Sequence, residues 1–355
     1  MTVAIHISSR IKNNFLINCF LKLAAENLED HFILISDGKF NLTQTLPENC
    51  TPVSLEPLIK NQLLKYYWYN YKLPSVLNRY NARIYYSPVY AASLKSKIPA
   101  IIFLHEFYEP VENFNASNLK YLRFAKFICS TNPVQLNNIS EKYNFLKTKL
   151  IDIPLPVNEK FRPIDHEVQR THHEKYSHGN DHFTTLITKQ NEAEVITLLK
   201  AFSIFKKWQK SSFELLIINK TGNENVLSAL DSYKYKEYVH LISYNEKAEA
   251  DIISSSYAFF DLSNLLTGKE FILKAMNCCV PVISTISNEN TFDDSIIYSV
   301  NSDKSLAEAM MRIYKDELLR NKIIEKGKQY ALNNTNEKVI DLIKNITEKA
   351  LSQTS

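Results

Sequence analysis

Glycine is scarce in this chain. Average usage of roughly 7% would put about 25 glycines in a protein of this length, yet the 355 residues contain five: Gly38, Gly179, Gly222, Gly268 and Gly327. Nucleotide-binding α/β proteins use glycine where backbone must approach a phosphate closely, so the shortage removes most candidate phosphate loops. Long apolar runs are also missing, and none reaches the ~18 residues needed to span a bilayer. No basic block stands out, because a formal net charge of +4 is spread thinly. That excludes an electrostatic footprint for nucleic acid and allows only mild attraction to an anionic membrane face. The five cysteines (Cys19, Cys50, Cys129, Cys278 and Cys279) are an odd count without paired metal spacing. They read as buried, reduced thiols of a cytoplasmic protein. Met1 leads straight into the strand-like Val3-Ala-Ile-His-Ile7 without a signal peptide, so the protein is expected to stay inside the cell.

What is present is an ordinary globular composition, 45% apolar and 23% charged, over a length that suits two domains. Apolar patterning predicts a strand at 3–8, a helix at 14–28 and a strand at 32–36, the spacing of a βαβ unit and hence of a parallel sheet. Buried strands follow at 82–88 and 98–106, then a strand at 124–130, a helix at 134–143 and a strand at 148–153. A second alternation begins at 183–187. Helices are expected at 195–202, 225–233 and 246–254, and strands at 213–218, 239–242 and 258–262. An apolar helix fed by a loop at 265–270 runs into the strand start Val280-Pro-Val-Ile283, and helices at 305–314, 317–332 and 337–351 close the chain. The fold class is therefore α/β with two doubly wound, Rossmann-like domains, at 1–160 and 183–334.

Several clusters carry possible chemistry. Arg10 and Lys12 lie in the turn after the first strand, where they could touch an anion, although solvated loop charges are the plainer reading. Lys65-Tyr-Tyr-Trp-Tyr-Asn-Tyr-Lys72 could stack sugars or bases, but helical spacing favours a helix packed by its aromatic side. His105 and Glu106 end a buried strand, where an imidazole would point into the crevice outside the strand ends and serve as a proton acceptor or hydroxyl partner. The polar stretch 161–182 holds His166, His172, His173, His178 and His182. Clustered histidines can bind metal, yet without an acidic or cysteine partner at fixed spacing a linker insertion is the plainer account.

The stretch Leu265-Leu-Thr-Gly-Lys-Glu-Phe-Ile-Leu-Lys-Ala-Met-Asn-Cys-Cys-Val-Pro-Val-Ile283 resembles the donor-site signature of retaining GT-B glycosyltransferases of group 1 (GT4-type), E-G-x-G-x-x-x-x-E-A-M-A-x-G-x-P-V-I. Pro154-Leu-Pro-Val-Asn-Glu-Lys-Phe-Arg-Pro163 is similar to the family's inter-domain connection, P-N-G-V-x-x-x-x-F-x-P, without its glycine. The likeness covers nearly the whole chain and is strongest from 183 to 351. It implies two Rossmann-like domains facing each other across a cleft, with a C-terminal helix at 335–355 returning to the first.

The family's ribose-holding glutamate, before Ala-Met, corresponds to Lys274, and its sugar-holding glutamate falls near Thr267 beside Gly268, with one residue missing from the loop. Counting back from Val195-Ile-Thr-Leu-Leu-Lys-Ala-Phe202, the family's strand-end glycine falls at Ile187 and its basic pair at Glu192-Ala193. A carboxylate there would repel a diphosphate, and Lys189 is the nearby cation that could replace the pair. Glu270 could substitute for a lost carboxylate, but it lies four residues before Lys274, which makes an ion pair along the helix the plainer explanation. His105 matches the family's strand-end His-Asp, with Glu106 in place of the aspartate.

By resemblance, then, the chain is a glycosyltransferase moving a sugar from a nucleotide diphosphate donor to a glycan or lipid-linked acceptor. Lys189, Asn264, Thr267, Gly268, Glu270 and Lys274 would line a rearranged donor site, with no cofactor or metal expected. The rival expectation is a pseudoenzyme that keeps the two-domain clamp to bind a glycan, a glycosylated peptide or an active glycosyltransferase partner, peripheral to the membrane or in the cytoplasm.

Overall fold

The computed structural model describes residues 1–352 apart from 8–14, 39–44, 58, 60, 90, 105–115, 189–190, 221–223, 264 and 286–291; side chains at 116–118, 224, 265–268 and 293 also lie outside the description. The chain divides into two compact units, Met1–Pro156 with Asn336–Ser355, and Val157–Thr335.

The first unit is built on β1 (Thr2–Ile7), β2 (His31–Ser36), β3 (Cys50–Ser54), β4 (Ile84–Ser87), β5 (Ala100–Leu104), β6 (Phe127–Ser130) and β7 (Leu150–Asp152). All pairings are parallel, in the order β3-β2-β1-β4-β5-β6-β7. Strands buried on both faces need unbroken apolar runs, and β5, Ala-Ile-Ile-Phe-Leu, is buried at every position. The helices are α1 (Phe15–Glu26), α2 (Gln62–Tyr67), α3 (Leu73–Arg79), α4 (Ala116–Phe124) and α5 (Pro133–Lys142). Between α2 and α3 the chain widens into a π-type turn, Trp68–Lys72, that buries Trp68 and Tyr69 and leaves Tyr66, Tyr67 and Tyr71 exposed. The aromatic stretch thus packs by one side into the core.

In the second unit β8 (His182–Ile187), β9 (Glu214–Asn219), β10 (Val239–Ser243), β11 (Ala258–Asp261), β12 (Val282–Ser284) and β13 (Ile297–Tyr298) form a parallel sheet in the order β10-β9-β8-β11-β12-β13. Around it run α6 (His166–Tyr176), α7 (Glu192–Gln209), α8 (Glu224–Asp231), α9 (Glu246–Ser255), α10 (Leu265–Asn277), α11 (Asp303–Lys315) and α12 (Glu317–Ala331). Both sheets reverse winding at one point, between β1 and β4 and between β8 and β11, where open α/β sheets bind ligands.

Two expectations are corrected. The histidine-rich stretch is not a linker: Asp165 caps α6 by accepting from the Val168 amide, and buried His173 bonds the Ser255 carbonyl at 2.8 Å, seating the helix on α9. The loop expected at 265–270 is already helical, since α10 starts at Leu265. With one residue fewer than the signature and a single glycine, the backbone winds into a first turn instead of looping out. The last helix, α13 (Asn336–Ser352), buries Val339, Ile340, Ile343, Ile346 and Ala350 in the core of the first unit. A Tyr86–Thr347 hydrogen bond and a 2.5 Å Lys22–Glu337 ion pair hold it there.

Candidate functional site

The winding of the second sheet reverses between β8 and β11, and the carboxyl ends of β9 and β10 lie beside it along the same edge. After β8, Asn191 folds the turn: its Oδ1 accepts from the Thr188 amide at 2.7 Å, and its Nδ2 donates to the Leu186 carbonyl at 2.9 Å. α7 then begins at Glu192, whose carboxylate accepts from Asn225 Nδ2 at 2.6 Å. An acidic group at a helix amino end is favoured by the helix dipole.

Below that edge lies a cluster of lysines, glutamates and rings. Lys274 on α10 is buried, with its ammonium 2.8 Å from Glu249 on α9 and 2.8 Å from Glu270 one turn back. Phe161 and Phe271 present their rings to it at 4.8 and 5.0 Å. Burial alone would pull the ammonium down, but Glu270 and Glu249 outweigh it and hold the group above the ordinary lysine range. The Glu249 carboxylate also accepts from the Tyr244 hydroxyl, which burial and the neighbouring carboxylates push well above the usual phenol range. Lys160 pairs with Glu246 at 2.7 Å.

Lys220, leaving β9, differs from these. Its ammonium lies over the rings of Tyr244 (4.5 Å) and Phe271 (4.6 Å) and has no carboxylate within ion-pair distance among the described residues. Burial first, and then Lys274, pull it below the ordinary lysine range. Asp261, ending β11, is buried. Desolvation pushes its carboxyl up to about 6, although Ser263 and Ser284 (3.1 Å) both donate to it.

Of the residues singled out in the sequence, Glu270 and Lys274 come together as the ion pair that their spacing predicts. The sequence did not signal that Glu249, 25 positions away, completes the site. Nor did it single out Lys220 and Tyr244; two residues that follow strands at their carboxyl ends are the available clue. His105, Glu106, Lys189, Asn264, Arg10 and Lys12 lie outside the described residues. Thr267 and Gly268 fall in the first turn of α10, with their side chains outside the description.

In the first unit the corresponding edge holds buried His6 on β1. Its Nε2 is 3.7 Å from Asp37, its ring lies against Trp68 and Tyr69, and neither ring nitrogen has a hydrogen-bond partner among the described residues.

No protein-family model matches the sequence, and no curated protein sequence matches it. Solved structures do match along the whole length. A glycosyltransferase from Rickettsia africae superposes with a TM-score of 0.76 at 15% identity, covering 99% of this chain and 98% of its own. Anabaena HepE, in complex with UDP and glucose, gives a TM-score of 0.72 at 11% identity over 98% and 100% of the two chains. WaaG, a glycosyltransferase involved in lipopolysaccharide biosynthesis, gives 0.64 at 12% identity over 96% and 99%. The fold is that of the GT-B glycosyltransferases.

Proposed function

We propose that this chain is a GT-B glycosyltransferase that binds a nucleoside diphosphate sugar at the carboxyl edge of its second sheet and passes the sugar to a glycan or lipid-linked acceptor. The observation that carries this reading is Lys220, a partly buried cation at the carboxyl end of β9, next to the strand where the winding reverses, held by two rings and with no carboxylate within ion-pair distance among the described residues. Transfer from a nucleotide sugar leaves charge on the departing diphosphate, and a preorganised cation in a water-poor site stabilises that charge most. The full-length likeness to HepE, seen with UDP and glucose, agrees with such a ligand. The signature around Lys274 supports placement in group 1 (GT4-type), and the weak positive charge is compatible with mild attraction to an anionic membrane face.

The test is a thermal-shift titration with UDP, GDP and their glucose and mannose conjugates. A ligand at 100 times its dissociation constant adds about 2.7 kcal/mol to stability. A shift that Lys220→Ala abolishes is expected; no shift with any nucleotide at millimolar concentration rejects the reading. One observation favours a second account, a nucleotide-free carbohydrate-binding module: where the signature holds ribose with a glutamate, Lys274 is clamped between two carboxylates. A melting shift with oligosaccharides and none with nucleotides would establish that account instead.

A further inference from the structure

The amino edge of the second sheet, opposite the nucleotide edge, carries a group of side chains that the proposed function does not use. Glu214 opens β9 and is only 3% exposed. His240 is the second residue of β10, the strand beside it. His178 sits in the turn that follows α6, with φ of 49° ahead of Gly179 at 82°. The left-handed region is costly for a residue with a Cβ, and here it carries the imidazole to the carboxylate. His240 Nε2 is 2.7 Å from one Glu214 oxygen and His178 Nδ1 is 3.3 Å from the other, while Asn180 Nδ2 donates to that second oxygen at 2.9 Å. The three ligand atoms lie within 4.8 Å of one another.

We propose that His178, Glu214 and His240 form a zinc-type transition-metal site that clips the turn after α6 to the amino ends of β9 and β10. Two imidazole nitrogens and one carboxylate oxygen are the donors that zinc favours over magnesium or calcium. A tetrahedral ion with bonds of roughly 2.0–2.1 Å sets its ligand atoms about 3.3 Å apart, so on binding the 2.7 Å His240–Glu214 pair must open and the more widely spaced ligand atoms, all within 4.8 Å, must draw in by side-chain rotation. The charges also suit a cation: a divalent ion would offset the buried Glu214 carboxylate. Asn180 fixes the carboxylate from outside the ligand set. His178 is 70% exposed, which leaves a fourth position for water and a route of entry.

The experiment uses the full chain, stripped with chelator and titrated with Zn2+ by calorimetry. Co2+ absorption reports the coordination geometry, and Mg2+ serves as the control. One equivalent of Zn2+ should bind, with tetrahedral Co2+ bands, and raise the melting temperature. His178→Ala, at an exposed turn, should keep the wild-type circular dichroism and weaken Zn2+ binding at least tenfold, and His240→Gln should do the same. With nine histidines in the chain, Zn2+ can find other imidazoles. Binding that falls less than tenfold in His178→Ala, or no stoichiometric binding in the wild type, overturns the proposal.

Discussion

Replacing Lys274 with methionine keeps the length of the side chain and removes its charge. Glu249 is 1% exposed, so the change strands a carboxylate that, among the described residues, keeps the Tyr244 hydroxyl, whereas Glu270 can turn toward water. Breaking a buried ion pair from one side costs about 3–5 kcal/mol. For a unit of this size, at ~2–4 °C per kcal/mol, the loss should lower the melting temperature by about 6–20 °C. Urea denaturation followed by far-UV circular dichroism measures it directly. Pairing Lys274→Met with Glu249→Gln removes both buried charges, and most of the loss should return, because a neutral pair needs no counter-ion. A single variant that loses less than about 1 kcal/mol, or a double variant no better than the single, would refute the idea that this lysine exists to neutralise Glu249.

Three further outcomes follow from buried groups and backbone. Asp261 has its carboxyl raised to about 6, so its ionisation opposes folding: the contribution is favourable below pH 4 and lost as pH rises through 6. Asp261→Asn should therefore stabilise the protein at pH 7 by up to about 3 kcal/mol, and by much less at pH 4.5, in paired denaturation curves. His182 behaves oppositely. Burial, with His173 beside it, holds its ring down to about 3, so stability present above pH 6.5 drains away on acidification at up to about 1.4 kcal/mol per pH unit. His182→Gln should flatten the dependence of melting temperature on pH in that window. Cys279 stands at φ 58° where the resembled signature has glycine, and Cys279→Gly should raise stability by about 1 kcal/mol by thermal denaturation.

The buried strands were legible because parallel sheets demand continuous apolar runs, and β5 and the Leu215–Ile218 centre of β9 are such runs. β3 went unread because it holds a proline and only one fully buried residue, as an edge strand can, and α4 because its polar composition hides its helical period. Residues 166–176 read as a linker because charge was weighed above the cap and the period. The site was half legible. Spacing of four exposes Glu270 to Lys274, but Glu249, Lys220 and Tyr244 reach the same point from three other segments, and no local pattern encodes that meeting. Glycine scarcity misled most. Where the backbone is left-handed the chain substitutes Asn81, His178, Lys210 and Cys279, so the shape survives without the residue that normally marks it.

The helix at Asn336–Ser352 belongs to the core of the first unit although the whole second unit separates it from Pro156 in sequence. A ribosome making this protein must therefore finish the second unit before the first can close, leaving the flank of α1 open to chaperones in the meantime. Any fragment ending near Thr335 would keep the second unit intact and expose an apolar stripe on the first, predisposing it to aggregate.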